Sequence, residues 1–165
     1  MQLYNLSVSG ATCINSKPER SYLLDSINNA SPSKTPSIIT VMIGTNDYYN
    51  FNSSLGTPSS EESENVYYSQ LNKAIKRIRE RWTNSKIIII SPIPCYTSRS
   101  VSLNDFRDAC KYIALINNVS YIDGRNLGIP DEHNSYVEDL LLKDTVHPTS
   151  LGHKTIGDAL AGIIS

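Results

Sequence analysis

The amino-acid sequence predicts an α/β fold in which helices cover both faces of a parallel β-sheet, a three-layer α/β/α sandwich. Two observations support this prediction. Apolar runs of strand length alternate with amphipathic stretches of helical period along the whole chain, which is the pattern of consecutive β-α-β units. The apolar runs also lack the polar alternation of half-exposed strands, and strands buried on both faces are typical of parallel sheets. We therefore expect a doubly wound sheet with right-handed crossovers.

Length and composition fit a single domain that spans residues 1–165. The chain has 39% hydrophobic and 19% charged residues, which is ordinary for a globular protein with one core. Its formal net charge of −1 shows no basic excess, so no nucleic-acid partner is expected. No window approaches the roughly 20 apolar residues of a membrane span, and no leader is recognisable at Met1. The oligomeric state and the cellular location stay open.

The first half of the chain is predicted to contain two strands and two helices. Leu3 to Val8 is the first predicted strand, residues 18–30 form a helix, and Ser37 to Ile43 is the second strand. Ser59 and Glu62 match a capping box ahead of the second helix, which should be the longest in the protein. The residues that recur at helical spacing on its core face are Tyr67, Leu71, Ala74, Ile75, Ile78 and Trp82.

Two further strands are predicted in the second half. Lys86 to Ser91 contains four consecutive isoleucines and ends at Pro92, so we expect a strand buried on both faces. Val119 to Ile122 is the fourth predicted strand. The helix between them should begin after Ser102, and its predicted core residues are Leu103, Phe106, Cys110, Ile113 and Ala114.

The C-terminal part of the chain ends in one predicted helix. Residues 125–149 look irregular apart from one helical turn near Val137 to Leu141. The last helix should begin after Thr149 or Ser150 and bury Leu151, Ile156, Leu160 and Ile164.

Polar residues follow the predicted strands at their carboxyl ends. In a parallel sheet these ends share one edge, and open α/β sheets bind their ligands there. Gly44-Thr45-Asn46-Asp47 follows the second strand directly and is the most informative stretch of the chain. Residues 7–12, 92–96 and 123–124 leave other strands at the same edge, and the loop from Asp144 to Thr149 can return to it. We therefore expect the chemistry to lie around Asn46.

Four residues in these segments have the properties of a catalytic group. Asp144 and His147 are three positions apart, so the carboxylate can orient one ring nitrogen and leave the other to act as a base. Asn46 offers an amide donor, and Gly10 offers a backbone N–H that no Cβ crowds, so together they can stabilise an oxyanion. Each feature also has a structural interpretation: a chance Asp-x-x-His, an Asx turn at Asn46, and a positive φ angle at Gly10.

Three strings of residues resemble the conserved blocks of one protein family. Residues 5–12 resemble the second block of the SGNH (GDSL-type) hydrolases, Gly44 to Asp47 resemble their third block, and Asp144 to Pro148 resemble their last. The order matches, and the resemblance covers essentially the whole chain. It implies a flavodoxin-like SGNH hydrolase fold that acts on esters without a metal or organic cofactor. By the same resemblance, Gly10 and Asn46 are oxyanion-hole donors, His147 is the general base and Asp144 orients it.

The chain departs from this family in the first block. The Gly-Asp-Ser that supplies the nucleophilic serine has no counterpart, since only nine residues precede Gly10, and no G-x-S-x-G elbow replaces it. The resemblance implies a five-stranded sheet whose first, central strand is missing here, which would leave a gap or a re-paired four-stranded sheet. We expect an N-terminally incomplete domain with no nucleophile of its own. The weaker candidates for a substitute nucleophile are Ser7, Ser9, Cys13 and Cys95.

Tyr48 and Tyr49 are predicted to bind substrate, because aromatic rings beside Asn46 can form a lip that stacks on a sugar. The polar stretch from residue 50 to residue 60 is long enough to form a flap there. His133 and His153 match no zinc spacing with His147, and the three cysteines show no C-x-x-C pattern, so no metal site is predicted.

The leading hypothesis is an ester hydrolase of the SGNH type, an acyl or acetyl esterase, a lipase-like enzyme or a carbohydrate deacetylase. Its expected substrate is a small acyl ester or an acetylated carbohydrate, and little or no activity is expected from this chain because the nucleophilic serine is absent. The alternative is a non-catalytic α/β module that binds carbohydrate or protein, through the remnant cleft or an exposed sheet edge. A flavodoxin-like nucleotide binder ranks third, because the chain has no Gly-rich phosphate loop.

Overall fold

The computed structural model describes residues 2–15, 20–31, 33, 35–51, 54–97, 99–132, 134–135, 137 and 141–164. Three parallel strands pair side by side in chain order, β1 (Ile38–Met42), β2 (Lys86–Ile90) and β3 (Ser120–Ile122). The helices are α1 (Leu23–Asn29), α2 (Thr45–Phe51), α3 (Tyr67–Arg81), α4 (Leu103–Ile116) and α5 (Ser150–Ile164), with a 3-10 turn at Gly124–Asn126.

Each face of the sheet packs against a separate apolar cluster. Ile87 and Ile89 face α1, α3 and α4, which bury their core residues on that side. Ile88 and Ile90 face the opposite cluster, where α5 packs. All four isoleucines are at most 2% exposed, as expected for a strand buried on both faces. The three-layer α/β/α prediction is therefore confirmed.

The two long helices on the first face bury the residues that the sequence predicts. The core face of α3 is buried from Tyr67 to Ile78, and α4 begins at Ser102 with a capping box, in which Ser102 Oγ accepts from Asn104 N and Asp105 accepts from Ser102 N. The predicted capping box at Ser59 and Glu62 is wrong, because α3 begins only at Tyr67. Its first N–H groups instead donate to the Ser54 and Leu55 carbonyls, and a distant backbone segment satisfies them without a side-chain cap.

Helix α5 begins at Ser150 as predicted, and the Thr149 hydroxyl accepts a hydrogen bond from Gly152 N at 3.1 Å. The prediction for Leu151 is wrong, since this side chain is 48% exposed. The inward face runs instead through Gly152, where a Cβ would lie 2.2 Å from a carbonyl oxygen. Ile156, Leu160 and Ile164 pack from this side against the second cluster.

The predicted strand from Leu3 to Val8 is also wrong. These residues belong to no strand, and Leu3 is 82% and Leu6 58% exposed. A strand needs a neighbouring strand for its backbone groups, and among the described residues this segment pairs with no strand of the sheet. The sheet therefore has three strands instead of four. Helix α1 begins at Leu23, later than predicted, because Tyr22 forms a parallel bridge with Thr12.

The helical turn predicted near Val137 to Leu141 lies partly outside the described residues. Within the described part of the chain, no helix has the length and apolar character required to cross a bilayer.

Candidate functional site

The structure brings Asp144 and His147 together in a tight loop. Nδ1 of His147 lies 2.9 Å from both carboxylate oxygens of Asp144, and the backbone N–H of His147 donates to Oδ1 at 2.9 Å. That N–H and the imidazole hold the pKa of Asp144 below its usual value. The loop is closed by Lys143 N, which donates to the His147 carbonyl at 2.7 Å. With Nδ1 held by the carboxylate, Nε2 is the ring nitrogen left for proton exchange.

Thr145 has a strained backbone conformation in this loop. Its φ angle is +67°, a conformation that β-branched residues rarely adopt. The Thr145 carbonyl accepts a hydrogen bond from Tyr96 N at 3.0 Å, which ties the loop to the segment that follows β2. Backbone outliers of this kind often occur at functional sites, where surrounding contacts enforce them.

One hydrogen bond positions the Asn46 side chain beside the segment that contains Gly10. Asn46 lies in the first turn of α2, and its side-chain nitrogen donates to the Ala11 carbonyl at 3.0 Å. Gly10 has a φ angle of +74°, so the glycine is required here for backbone reasons as well. The structure thus ties the Asn46 side chain to the residue that follows Gly10, near the carboxyl end of β1.

The Asp47 side chain connects the same two segments by hydrogen bonds. Its carboxylate is fully buried and accepts hydrogen bonds from Cys13 N at 2.9 Å and Ile14 N at 3.0 Å. Burial raises the pKa of Asp47 to about 6, although the backbone N–H groups act in the opposite direction. Asp47 lies in the Gly44 to Asp47 motif, but the sequence analysis assigned it no role. Its hydrogen-bond partners lie more than thirty positions away, where local patterns give no signal.

The two pairs are connected through residues 92–97, which follow β2. Tyr96 holds the loop of His147, as described above, and the Tyr48 hydroxyl donates to the Thr97 carbonyl, which attaches α2 to the same segment. Arg107 is a second residue that sequence reasoning missed. It is 3% exposed and anchors the start of this segment by donating from Nε to the Pro92 carbonyl at 3.1 Å. A charged residue at a core position of an amphipathic helix is the only sequence signal for it.

The tyrosine lip predicted beside Asn46 is only partly present. Tyr48 is 6% exposed, and its ring packs edge-on against Phe106 with centroids 6.0 Å apart. It is a core residue, because the helix that carries Asn46 turns this side chain inward, and it offers no exposed stacking surface. Tyr49 is half-buried, and the Arg99 guanidinium lies 4.9 Å above its ring.

The candidate substitute nucleophiles have unsuitable environments. Ser7 and Ser9 are exposed on a segment that belongs to no strand. Cys13 is buried, and burial raises the pKa of its thiol well above the usual value. Burial also raises the pKa of Cys95 to about 11. A thiol that stays protonated near neutral pH is a poor nucleophile.

Among the residues that the structure describes, no group of three or more His, Cys, Asp or Glu side chains is arranged to hold a metal ion. His153 is exposed on α5, and His133 lies outside the described residues. A surface groove of about 570 Å³ runs between residues 5–8 and residues 20–30. Its lining includes neither Asn46 nor His147, so this groove is separate from the candidate site.

Comparison with known proteins places these motifs in context. A family model described as GDSL-like Lipase/Acylhydrolase matches residues 1–160. The fold is similar to that of a Lactobacillus plantarum protein at 19% identity, with a TM-score of 0.84 over 97% of this chain and 79% of the other. No curated protein sequence matches the chain.

Two other solved structures have similar folds. One is described as a GDSL-like lipase from Bacteroides ovatus, with 18% identity and a TM-score of 0.60 over 94% of this chain and 67% of the other. The second is a peptidoglycan O-acetylesterase, with 16% identity and a TM-score of 0.61 over 78% of this chain but only 37% of the other. At these identities the structural likeness shows the fold alone.

Proposed function

The chain belongs to the GDSL-like lipase/acylhydrolase family, and on that premise we propose that His147 and Asp144 are its acid-base pair for ester hydrolysis. The observation that carries the proposal is the contact of His147 Nδ1 with both carboxylate oxygens of Asp144 at 2.9 Å. In this arrangement Nε2 takes the proton of an attacking hydroxyl and returns it to the leaving alcohol. Asp144 keeps the ring in the required tautomer and stabilises the imidazolium that forms.

We further propose that the Gly10 N–H and the Asn46 amide stabilise the oxyanion of the tetrahedral intermediate. The hydrogen bond from Asn46 to the Ala11 carbonyl supports this role, because it fixes the Asn46 amide against the residue that follows Gly10. Fixed donors stabilise developing charge without reorganising during the reaction, and the loss of one such donor lowers kcat by about 10²–10³. The buried Asp47 carboxylate adds rigidity by holding the two residues after Thr12.

The proposed substrate class is an acetylated carbohydrate or a small acyl ester. One protein of similar fold is a peptidoglycan O-acetylesterase, which favours an acetyl group as the acyl part. Tyr49, three residues after Asn46 on α2, is the proposed contact for the alcohol part, and Arg99 lies over its ring. Tyr48 no longer belongs to this proposal, since it lies in the core.

The 165-residue chain has no Gly-Asp-Ser block, and we propose that it hydrolyses esters weakly or not at all. General-base catalysis by His147 needs a hydroxyl within hydrogen-bond reach. The exposed serines at positions 7 and 9 and the protonated thiols of Cys13 and Cys95 do not replace it. The acid-base pair and the oxyanion donors are thus expected to be a catalytic apparatus that lacks its nucleophile.

The test uses p-nitrophenyl acetate, an activated acetyl ester. We expect the chain to hydrolyse it near the buffer rate, and a version extended at its N-terminus by a Gly-Asp-Ser strand to hydrolyse it at least tenfold faster. In the extended version, His147→Ala should remove the gain. His153→Ala, which changes another exposed histidine, should retain it. Fast hydrolysis by the original chain that survives His147→Ala would contradict the proposed mechanism.

A non-catalytic binding function is the second candidate, and the absent Gly-Asp-Ser block is the observation that favours it. In that case the remnant cleft binds carbohydrate and Tyr49 is its stacking ring. Calorimetric titration with an acetylated glycan should then show saturable binding without acetate release, and Tyr49→Ala should weaken it. If the glycan does not bind, or if acetate is released, this second function is excluded.

A further inference from the structure

Arg107 is a buried cation that the proposed mechanism does not use. It lies on α4 with 3% of its surface exposed, and a buried charge is costly unless it is paired and hydrogen-bonded. Its Nε donates to the Pro92 carbonyl at 3.1 Å, Nη1 to Asn104 Oδ1 at 2.8 Å and Nη2 to Asp131 Oδ1 at 3.2 Å. Well-packed apolar residues are often as stabilising at such positions, so stability alone does not account for this arginine.

Arg107 and Tyr96 hold the two ends of the segment that follows β2, and they share one support. Arg107 holds the Pro92 carbonyl at the start of the segment. At the other end, the Tyr96 hydroxyl donates to the Pro130 carbonyl at 2.6 Å. Pro130 is the direct neighbour of Asp131, which pairs with Arg107. The contacts therefore close a ring, in which one pair of adjacent residues supports both ends of the segment.

The chain between these two anchors is stiff. Pro92 and Pro94 each have a φ angle that the pyrrolidine ring fixes, and Ile93 between them is 4% exposed in the second cluster. A displacement at the start of a stiff segment is passed on to its end. The position of the Tyr96 backbone therefore depends on Arg107 as well as on the Tyr96 hydroxyl.

The Tyr96 N–H connects this segment to the loop of His147. It donates to the Thr145 carbonyl at 3.0 Å, and Thr145 has a φ angle of +67°. A backbone conformation of this kind persists only where the surrounding contacts enforce it. If the Tyr96 N–H moves away, Thr145 relaxes, and the residues on either side of it, Asp144 and His147, lose the geometry of their contact.

We propose that Arg107 and Tyr96 are positioning residues, which act through Thr145 to keep the neutral His147 ring in the tautomer with its proton on Nδ1. This inference rests on the proposed role of His147 as the general base. With the Nδ1 proton directed at Asp144, Nε2 keeps the lone pair that accepts a proton. A relaxed loop allows the other tautomer, in which Nε2 carries the proton and cannot act as a base.

Long-range proton–nitrogen NMR at alkaline pH distinguishes the two tautomers and needs no active enzyme. Tyr96→Phe removes one hydroxyl and keeps the ring, whereas Arg107→Lys keeps the charge but loses the planar fork of donors. Each should lower the ratio of the Nδ1–H to the Nε2–H tautomer of His147 by about fivefold or more, the factor that the loss of one hydrogen bond produces. The pKa of Asp144, which the N–H and imidazole of His147 hold low, should rise toward its ordinary value in both variants.

Tyr22→Phe is the matched control, because it removes a hydroxyl that donates to Gln70 Oε1 at 2.5 Å and does not contact the segment. Its tautomer ratio should equal that of the wild type, and the exposed His153 is an internal reference in every spectrum. Thr145→Asn provides the rescue. Asparagine tolerates a positive φ angle, so adding this change to Tyr96→Phe should restore the wild-type ratio.

The version extended by a Gly-Asp-Ser strand separates this inference from the proposed function. If that version hydrolyses p-nitrophenyl acetate, Tyr96→Phe should lower its kcat by roughly tenfold or more, since a small misplacement of a catalytic group is costly. If it is inactive while the tautomer responds as expected, the positioning role stands and the proposed hydrolysis fails.

The inference is overturned by a wild-type tautomer ratio in Tyr96→Phe or in folded Arg107→Lys, or by a rescue that does not occur. If Arg107→Lys does not fold, Tyr96→Phe decides alone, because it removes a single hydroxyl group.

Discussion

Replacing Asp47 with asparagine keeps the shape of a buried side chain and removes its charge. The carboxylate accepts hydrogen bonds from Cys13 N and Ile14 N, which joins the start of α2 to the segment after Gly10. In Asp47→Asn one of the two acceptor oxygens, which Cys13 N contacts at 3.1 and 2.9 Å, becomes an N–H donor. At acid pH the protonated wild-type carboxyl also has one donor and one acceptor oxygen, so we expect the variant to lie within about 1 kcal/mol of the wild type there.

The effect should depend on pH with a definite sign. Burial raises the pKa of Asp47 from 3.8 to about 6. A group whose folded-state pKa is raised contributes stability that is complete below its unfolded pKa and is lost as pH rises through its folded pKa. Over this interval of roughly two pH units the wild type loses about 3 kcal/mol of this contribution. The asparagine variant has no such group, so its stability relative to that of the wild type should rise by about that amount between pH 4 and pH 8.

Urea unfolding followed by the fluorescence of Trp82, the single tryptophan, measures the deficit at each pH. The difference between variant and wild type cancels the contribution of other titrating groups. Asp144→Asn is the matched control, because the pKa of the exposed Asp144 is lowered by His147. Its deficit should instead grow as pH rises, and should be smaller because solvent screens the pair. If the stability of Asp47→Asn relative to the wild type is constant or falls between pH 4 and pH 8, the assignment of a buried carboxyl group with a raised pKa is wrong.

Three further substitutions test the backbone, each by urea unfolding. Gly44→Ala should lower the free energy of unfolding by more than about 2 kcal/mol, because φ is +114° and the new Cβ would lie 2.5 Å from the Tyr67 hydroxyl. Its control, Gly157→Ala, meets no atom within 4 Å and should add about 0.5–1 kcal/mol. Thr145→Asn should raise stability by up to about 1 kcal/mol, since asparagine tolerates φ of +67°, and a loss of stability would show that no strain is stored there. Ser102→Ala should remove the cap of α4 and cost about 0.5–2 kcal/mol, whereas an unchanged midpoint would contradict this role.

The elements that the sequence predicted correctly depend on local patterns. The isoleucine run of β2, the apolar spacing of α3 and the Ser102 cap of α4 involve residues within one or two helical turns or one strand of each other. The Asp144–His147 contact belongs to the same class, because a three-residue separation fits a single loop. Local sequence is sufficient wherever the interacting groups are close along the chain.

The errors concern residues whose partners are distant in sequence. The segment from Leu3 to Val8 has strand-like composition, but no neighbouring strand accepts its backbone groups. Tyr48 follows Asn46 at a position that suggested exposure, yet the packing of Phe106 from α4 places it in the core. Ser59 and Glu62 match the sequence pattern of a capping box, but α3 does not begin there. The carbonyls of residues 54 and 55 accept hydrogen bonds from its first N–H groups instead.

The order and chemical identity of the reactive groups were therefore determined by the sequence alone, as was the strand β1 that leads to Asn46. Helix α2, which carries Asn46, was not predicted. Only the tertiary structure decided that a buried Asp47 joins the start of α2 to the segment after Gly10, and that the Asn46 amide bonds to the Ala11 carbonyl. Both features are hydrogen bonds from a side chain to backbone groups of a segment more than thirty positions away. Composition and periodicity carry no information about such pairings, because hydrogen-bond partners of this kind are selected by the packing of the whole domain.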